Sequence, residues 1–141
     1  KRIDKSLPLP KYETEGAVAF DLYAREEVVI PPKGLGFVNT NLIIATPPGY
    51  MLFLASRSGT PKKKGLMMAN SVGLIDQDYC GPEDELKLCM YNFTDADVVV
   101  ERGERVGQGT FIPIEKAQWN EVEEMTAETR GGFGSSGSHI G

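Results

Sequence analysis

The chain has 141 residues, the length of one domain that can bury a core without disulfides or a structural metal. Its 40% hydrophobic and 25% charged residues are typical of a soluble globular protein, and the net charge of −5 argues against a nucleic acid or a membrane as its partner. Any anionic ligand must therefore be bound by a local group of donors and cations.

Histidine and cysteine are scarce, and their positions disfavour several classes of enzyme. His139 is the only histidine and lies two residues from the end of the chain, while Cys80 and Cys89 have neither metal-ligand nor disulfide spacing. A Ser/His/Asp hydrolase, a Cys/His enzyme and a zinc site are thus disfavoured, and the base of an enzyme would be a carboxylate. With no signal-peptide pattern and no stretch apolar enough to span a bilayer, we expect a cytoplasmic protein.

The first half of the chain is predicted to form short β-strands. Residues 1–16 contain a Leu-Pro-Leu-Pro run and a polar turn, which indicate an edge strand and a turn. Residues 17–24 are strand-like, with Asp21 as a lone acid among apolar neighbours. Turn-forming Pro and Gly residues separate the next strands. These strands are predicted at residues 28–30, 36–38, 42–45 and 50–55.

Residues 70–81 bring an amide, a short apolar run, two acids and an aromatic ring close together in sequence. An apolar run bounded by turn residues predicts a buried strand, and Gly73 and Gly81 permit tight bends, so we expect a β-hairpin. In an extended backbone Asp76 and Asp78 would lie on the same side, which allows one of them to face a pocket.

The second half continues the pattern of short strands. Residues 85–91 alternate between apolar and other side chains, and residues 98–100 and 105–114 indicate two more strands joined by a turn. Residues 61–65 would hold at most one helical turn, and residues 115–129 fit a helix or a strand equally well. Many short strands without a long helix predict an all-β fold, either a barrel or a jelly-roll sandwich.

Two stretches have the composition of a phosphate-binding site. Residues 56–60 follow a strand and contain Arg57 beside Ser and Gly, so backbone N–H groups and a guanidinium lie together, although an ordinary polar turn is at least as good an interpretation. Residues 130–138 combine an arginine, glycines, serines and one phenylalanine, which suits a clamp on phosphates and a base. A disordered Gly/Ser-rich terminus is the alternative.

Five stretches of the chain, in this order, resemble the five motifs of the trimeric deoxyuridine triphosphatase (dUTPase) family. They are AFDLYA (19–24), SRSG (56–59), GLIDQDY (73–79), RVGQ (105–108) and RGGFGSSG (130–137). The resemblance covers nearly the whole chain, and five ordered motifs are specific where one alone is not. It implies a distorted jelly-roll or β-barrel domain of residues 1–129 and a flexible arm of residues 130–141 that closes over the active site.

The resemblance also implies hydrolysis of dUTP to dUMP and pyrophosphate, which keeps uracil out of DNA and supplies dUMP for thymidylate synthesis. Asp76 matches the general base that activates the water attacking the α-phosphorus. Tyr79 matches the ring that packs on the deoxyribose and excludes a 2′-OH, and Phe133 matches the ring that stacks on uracil. The other implied substrate-binding residues are Arg57, Ser58, Gly59 and Gln108 at the phosphates, Asn70, Gly73, Leu74 and Ile75 at the uracil, Lys87, and Arg130, Gly134, Ser135 and Ser136 in the arm.

Members of the family are homotrimers that share active sites between subunits, and the resemblance implies the same assembly here. It further implies Mg²⁺ bound mainly by the substrate triphosphate, with Asp21 reaching the ion only through water. The chain departs from the usual family pattern after Tyr79, where residues 82–85 form a short insertion. Two rival functions stay open: deamination of dCTP by an enzyme of similar fold, and nucleotide binding without turnover.

Overall fold

The structure is a computed structural model that describes residues 1–132, and this part of the chain forms nine β-strands and one short helix. The strands are β1 (Phe20–Tyr23), β2 (Val28–Ile30), β3 (Leu35–Asn39), β4 (Tyr50–Ser56), β5 (Leu66–Met68), β6 (Gly73–Ile75), β7 (Lys87–Asn92), β8 (Val98–Val100) and β9 (Arg105–Pro113). The helix, α1 (Thr60–Lys64), lies between β4 and β5.

The strands pair into three antiparallel sheets. The largest has the order β1-β9-β4-β6, the second has the order β3-β7-β5, and the third consists of β2 and β8. In the largest sheet β9 pairs with β1 on one side and with β4 on the other, so the last strand joins the beginning of the barrel to its middle.

The three sheets enclose one apolar core. In β7 the buried Leu88 and Met90 alternate with more exposed neighbours, and Leu52 and Leu54 alternate in the same way in β4. This period of two is the one by which a strand directs every second side chain to the same face. The largest fully buried apolar side chains of this core are Leu22, Ile30, Val38, Leu52, Leu54, Leu66, Leu86, Leu88, Met90, Val100 and Val106. The all-β jelly-roll architecture predicted from the sequence is confirmed.

Several predicted elements differ from those observed. The helical turn is confirmed as α1, which has Pro61 in its first turn and ends at Gly65 in the left-handed conformation (φ 68°). Residues 42–45 are not a strand, and their link to residues 1–16 is an isolated bridge between Arg2 and Leu42. The strand β5 was not predicted, because three residues of Leu and Met carry no β-branched or alternating signal.

The predicted hairpin at residues 70–81 is wrong. Within this stretch β6 pairs with β4, with Leu54 opposite Gly73 and Leu52 opposite Ile75, and no returning strand follows it. The residues after Ile75 form turns instead, in which Tyr79 N–H donates to the Asp76 carbonyl at 3.2 Å. Asp76 and Asp78 therefore do not lie along one extended backbone.

A partly buried ion pair fixes the segment that leads into β7. Glu85 is 6% exposed, and its carboxylate accepts hydrogen bonds from Arg25 Nε at 2.9 Å, Arg25 Nη2 at 3.2 Å and the Asn41 backbone N–H at 2.8 Å. The hydrogen bonds that Arg25 donates to Glu85 raise the pKa of Arg25 above its ordinary value. The insertion at residues 82–85 thus ends in a carboxylate that is held by the body of the barrel.

Near the N-terminus, Asp4 joins two separate parts of the chain. Its carboxylate accepts from Ser6 Oγ at 2.6 Å and from Arg102 Nη2 at 2.7 Å. These hydrogen bonds, first from Ser6 and then from Arg102, hold the pKa of Asp4 well below its usual range. The turn between β8 and β9 is thereby tied to the first residues of the chain.

Residues 115–132 lie outside the barrel and form neither a helix nor a strand, so both predictions for residues 115–129 are wrong. Every residue from 115 to 132 is exposed, and Trp119 is 96% exposed. Its apolar side chains are separated by polar ones, so this segment has no continuous apolar face with which to pack on the barrel of the same chain. Between residues 1 and 132, no helix has the length and apolar character needed to cross a membrane.

Candidate active site

Four residues of the sequence motifs described above meet where β1, β4 and β9 come together: Asp21, Arg57, Arg105 and Gln108. Asp21 on β1 lies opposite Gln108 on β9, and Gln108 lies opposite Ala55 near the end of β4. The Asp21 carboxylate forms an ion pair with Arg57 Nε at 2.8 Å and accepts a hydrogen bond from Arg105 Nη1 at 3.2 Å. Gln108 Nε2 donates to the Ser56 carbonyl at 2.9 Å. The buried acid that stood out in the sequence is therefore paired with two guanidinium groups.

A cleft of about 400 Å³ lies beside this group. Arg57, Ser58 and Gly59, the predicted phosphate-binding residues, line it. The lining is completed by Thr60, Lys63, Lys64, Glu104 and Arg105. An open cleft lined by backbone N–H groups, a hydroxyl and several cations is suited to an anionic ligand.

Asp76 lies at a second cleft, of about 200 Å³, at the other end of the same sheet. Its carboxylate is exposed, and the neighbouring Gln77 anchors the loop by donating to the Tyr50 carbonyl at 2.7 Å. Leu74 and Ile75 line this cleft, and Leu74 is 66% exposed. Gly73 is buried, and a side chain would have little room there, because a Cβ at this position would lie 3.0 Å from Leu54 Cβ.

The remaining predicted contacts on this part of the chain lie on turns and on a neighbouring sheet. Asn70 is exposed in the turn after β5, where its carbonyl accepts from Val72 N–H at 2.7 Å. Tyr79 is 38% exposed, and its hydroxyl donates to the Glu85 carbonyl at 3.2 Å. Lys87 is exposed on β7, in a different sheet from Gly73 and Ile75.

Within one chain the structure keeps the two clefts apart. They share no lining residue, and Asp76 lies next to Met51 at the start of β4 whereas Arg57 follows the end of that strand. Six residue steps separate Met51 from Arg57, which corresponds to about 20 Å of extended chain. The carboxylate and the cationic group therefore cannot act on the same phosphorus within one chain.

The donor set around Asp21 does not form a protein metal cage. Nowhere in residues 1–132 do three His, Cys, Asp or Glu side chains come together as a metal site would require. Asp21 is 8% exposed and is already paired with Arg57 and Arg105. This geometry suits at most an indirect contact to an ion that is held mainly by other ligands.

The sequence did not single out Lys63 and Lys64, the two lysines of the larger cleft. Lys63 and Lys64 belong to a run of three lysines that is visible in the sequence, but only the turn of α1 determines which of them faces the cleft.

In the arm, Arg130 is exposed, and Phe133, Gly134, Ser135 and Ser136 lie outside the described residues.

The chain is similar to known proteins over almost its entire length. The dUTPase family model matches residues 5–137. The deoxyuridine 5'-triphosphate nucleotidohydrolase of Lactococcus lactis is 42% identical over 133 residues, which are 92% of this chain and 88% of the relative. The enzyme of the same name from Helicobacter pylori J99 is 39% identical over 139 residues, with 97% of this chain and 94% of the relative covered.

Solved structures agree with the sequence comparisons. The dUTPase from Streptococcus mutans superposes with a TM-score of 0.78 at 37% identity, and the match covers 84% of this chain and 98% of that one. The dUTPase of Staphylococcus bacteriophage 80alpha in complex with dUPNHPP superposes with a TM-score of 0.85 at 26% identity, covering 98% and 96% of the two chains. In sequence and in fold, the chain belongs to the dUTPase family.

Proposed function

We infer that this chain is a dUTP diphosphatase, which hydrolyses dUTP to dUMP and pyrophosphate. The observation that carries this function is the match of the family model to residues 5–137, together with relatives of about 40% identity that are named as deoxyuridine 5'-triphosphate nucleotidohydrolases. The chemical groups that the reaction needs are present in the two clefts: a carboxylate in one, and cations with backbone donors in the other.

In the proposed reaction Asp76 is the general base. Its exposed carboxylate takes a proton from a water molecule, whose oxygen attacks the α-phosphorus in line while the bond to the bridging oxygen breaks and pyrophosphate leaves. Gln77 supports this role because its hydrogen bond to the Tyr50 carbonyl anchors the loop that carries Asp76. A fixed base needs less reorganisation when the water is activated.

The phosphates would bind at the larger cleft. Arg57, Ser58 and Gly59 supply a guanidinium, a hydroxyl and backbone N–H groups. Gln108 holds the Ser56 carbonyl and so orients the turn that carries these donors. Asp21 would act mainly by fixing the position of Arg57, since its carboxylate forms an ion pair with Arg57 Nε at 2.8 Å.

Selection of the nucleoside would occur around the smaller cleft. Backbone groups of Gly73, Leu74 and Ile75, together with Asn70, would hydrogen-bond uracil in a pattern that cytosine mismatches. Tyr79 would pack on the deoxyribose, and its hydroxyl is held by the Glu85 carbonyl at 3.2 Å. Lys87 is a further substrate contact in this proposal.

The separation of the two clefts supports a homotrimer with shared sites. Because Asp76 and Arg57 lie about 20 Å apart along β4, a complete site would combine the Asp76 cleft of one subunit with the Arg57 cleft of another. The exposed residues 115–132 fit the same assembly, since a neighbour could cover side chains such as Trp119. In this assembly residues 1–129 form the barrel and residues 130–141 form the arm.

The arm would close over the bound nucleotide. Phe133 would stack on uracil, while Arg130, Gly134, Ser135 and Ser136 would contact the triphosphate. Such a segment has too little apolar surface to fold alone and would gain order from the ligand and the neighbouring subunits.

Mg²⁺ is the proposed cofactor. Bound mainly by the triphosphate and reached by Asp21 through water, it would neutralise phosphate charge in the transition state. Each oxygen of the Asp21 carboxylate is already paired with a guanidinium, Oδ1 with Arg57 and Oδ2 with Arg105, which supports a contact through water rather than direct coordination.

The test is an assay of the products formed from dUTP and from dCTP, with and without a chelator. We expect pyrophosphate and dUMP from dUTP and no ammonia from dCTP. Asp76→Asn should lower turnover by at least ~10²-fold while binding of dUPNHPP survives. The matched control is Asp78→Asn, which removes a neighbouring exposed carboxylate and should leave turnover near that of the wild type.

Release of ammonia without pyrophosphate would replace this proposal by dCTP deamination. Tight dUPNHPP binding without any turnover of dUTP by the wild-type chain would indicate a nucleotide-binding module. Wild-type activity of Asp76→Asn would place the base elsewhere.

A further inference from the structure

The three consecutive lysines of the short helix α1 do not all face the same surroundings. Lys63 and Lys64 line the larger cleft, whereas Lys62 is exposed and does not line it. The helix is held in place because Thr60 is buried and its Oγ1 donates to the Val106 carbonyl at 3.4 Å. The basic run is therefore not one uniform solvated surface.

The cations of the cleft differ in how far they are already neutralised. Arg57 is paired with Asp21 at 2.8 Å, and Arg105 is paired with Asp21 at 3.2 Å and with Glu13 at 3.4 Å. Lys64 Nζ lies 3.1 Å from Glu104 Oε2 and donates to the Val99 carbonyl at 2.7 Å.

Lys63 is the exception among the cations that line this cleft. Between residues 1 and 132 it forms no ion pair. The only acidic residue in the lining is Glu104, which is already paired with Lys64. No carboxylate in residues 1–132 therefore neutralises the positive charge of Lys63.

The position of Lys63 brings this charge to the predicted phosphate donors. Its backbone N–H donates to the Gly59 carbonyl at 2.9 Å, and its side chain runs back along Gly59. A Cβ built on Gly59 would lie 3.5 Å from Lys63 Cδ and Cε and 3.9 Å from Lys63 Nζ. The end of the Lys63 side chain, with its ammonium group, therefore passes close to Gly59.

From this geometry we propose that Lys63 is a further phosphate-binding residue, which donates from its ammonium group to the triphosphate chain of the nucleotide. The proposal rests on the function proposed above, because that function supplies the triphosphate as the ligand of this cleft. Lys64 is assigned to holding α1 against Glu104, and Lys62 is assigned to the solvated surface.

The experiment compares Lys63→Gln with Lys62→Gln as the matched control from the same helix. Isothermal titration would measure binding of dUPNHPP, of inorganic tripolyphosphate and of deoxyuridine, which has no phosphate. Lys63→Gln should weaken dUPNHPP and tripolyphosphate by about 5- to 10-fold, as the loss of one charge-assisted hydrogen bond predicts. Deoxyuridine binding should not change, and Lys62→Gln should leave all three affinities within about twofold.

Lys63→Arg, which keeps the charge, should restore most of the affinity for tripolyphosphate. Since Lys63 is exposed, each variant should unfold at the temperature of the wild type. Equal effects of Lys62→Gln and Lys63→Gln, or no effect of Lys63→Gln, would overturn the assignment while leaving dUTP hydrolysis intact. If the wild-type chain neither binds dUPNHPP nor hydrolyses dUTP, the proposed function fails, and the tripolyphosphate titration still decides the role of Lys63.

Discussion

A mixture of two inactive variants should recover activity if each site is built by two subunits. Asp76→Asn removes the proposed base, and Arg57→Gln removes the guanidinium at the other cleft. The two positions lie about 20 Å apart along β4, so one chain cannot supply both to the same phosphorus. In a mixed oligomer, however, an intact Asp76 from one variant can meet an intact Arg57 from the other.

The size of the recovery follows from random assembly. With equal amounts of the two variants, a site has an intact Asp76 with a probability of one half and an intact Arg57 with a probability of one half. About a quarter of the sites should therefore be complete in a shared-site oligomer. If both residues of a site came from the same chain, no site would be complete.

The assay measures dUTP turnover after the two variants are unfolded together and refolded, with wild-type protein taken through the same cycle as the reference. The control is a variant that carries both Asp76→Asn and Arg57→Gln, mixed with an equal amount of wild type. This mixture should give about a quarter of the reference activity for shared sites and about a half for sites within one chain. A mixture of the single variants that stays inactive, with the control at one half, would refute the shared site.

Three further predictions concern the arm and two ion pairs. A chain that ends at residue 129 should keep the circular dichroism spectrum of the full chain and lose nearly all dUTP turnover, because residues 115–132 are exposed; full activity would refute the role of the arm. Glu85→Gln should lower the free energy of unfolding in urea by about 2 kcal/mol, because it weakens a partly buried bidentate pair between the buried Glu85 and Arg25; an unchanged midpoint would contradict this. Asp4→Asn should lower Tm at pH 6, since a carboxyl with a depressed pKa stabilises the fold above its unfolded pKa. The difference in Tm between the wild type and the variant should narrow as pH falls below 3.8, the ordinary pKa of an aspartate. A difference in Tm that stays constant down to pH 2 would argue against this role of Asp4.

The strands with a strong pattern could be predicted from the sequence. Leu86, Leu88 and Met90 recur at every second position, and this period indicates a strand whatever its partner is. The strand β5 and the absence of a strand at residues 42–45 could not be predicted in this way. Whether so short a segment becomes a strand depends on a neighbour with free backbone groups, and β7 supplies that neighbour to β5 but not to residues 42–45.

The candidate residues could be named from the sequence, but their arrangement could not. The order of motifs along the chain does not reveal that Asp76 and Arg57 emerge from opposite ends of the same pair of strands, which only the register of β4 against β6 shows. The ion pairs of Asp21 were equally hidden, because Arg57 follows β4 and Arg105 begins β9, two strands that are neighbours in the sheet but far apart in sequence. No sequence pattern could show which face of this one-turn helix meets the cleft, and so that Lys63 lines it while Lys62 does not.

The central position of β9 has a consequence for how the protein folds. Because β9 lies between β1 and β4, the largest sheet cannot be assembled until residues near both ends of the barrel have met, as in the pairing of Phe20 with Gly109. Closing so long a loop costs entropy before any contact across it is stabilised. Topologies of this kind fold in about milliseconds to seconds, more slowly than helical domains of similar size. A nascent chain without β9 would expose the edges of both β1 and β4, which makes this strand the one that protects the growing protein from aggregation.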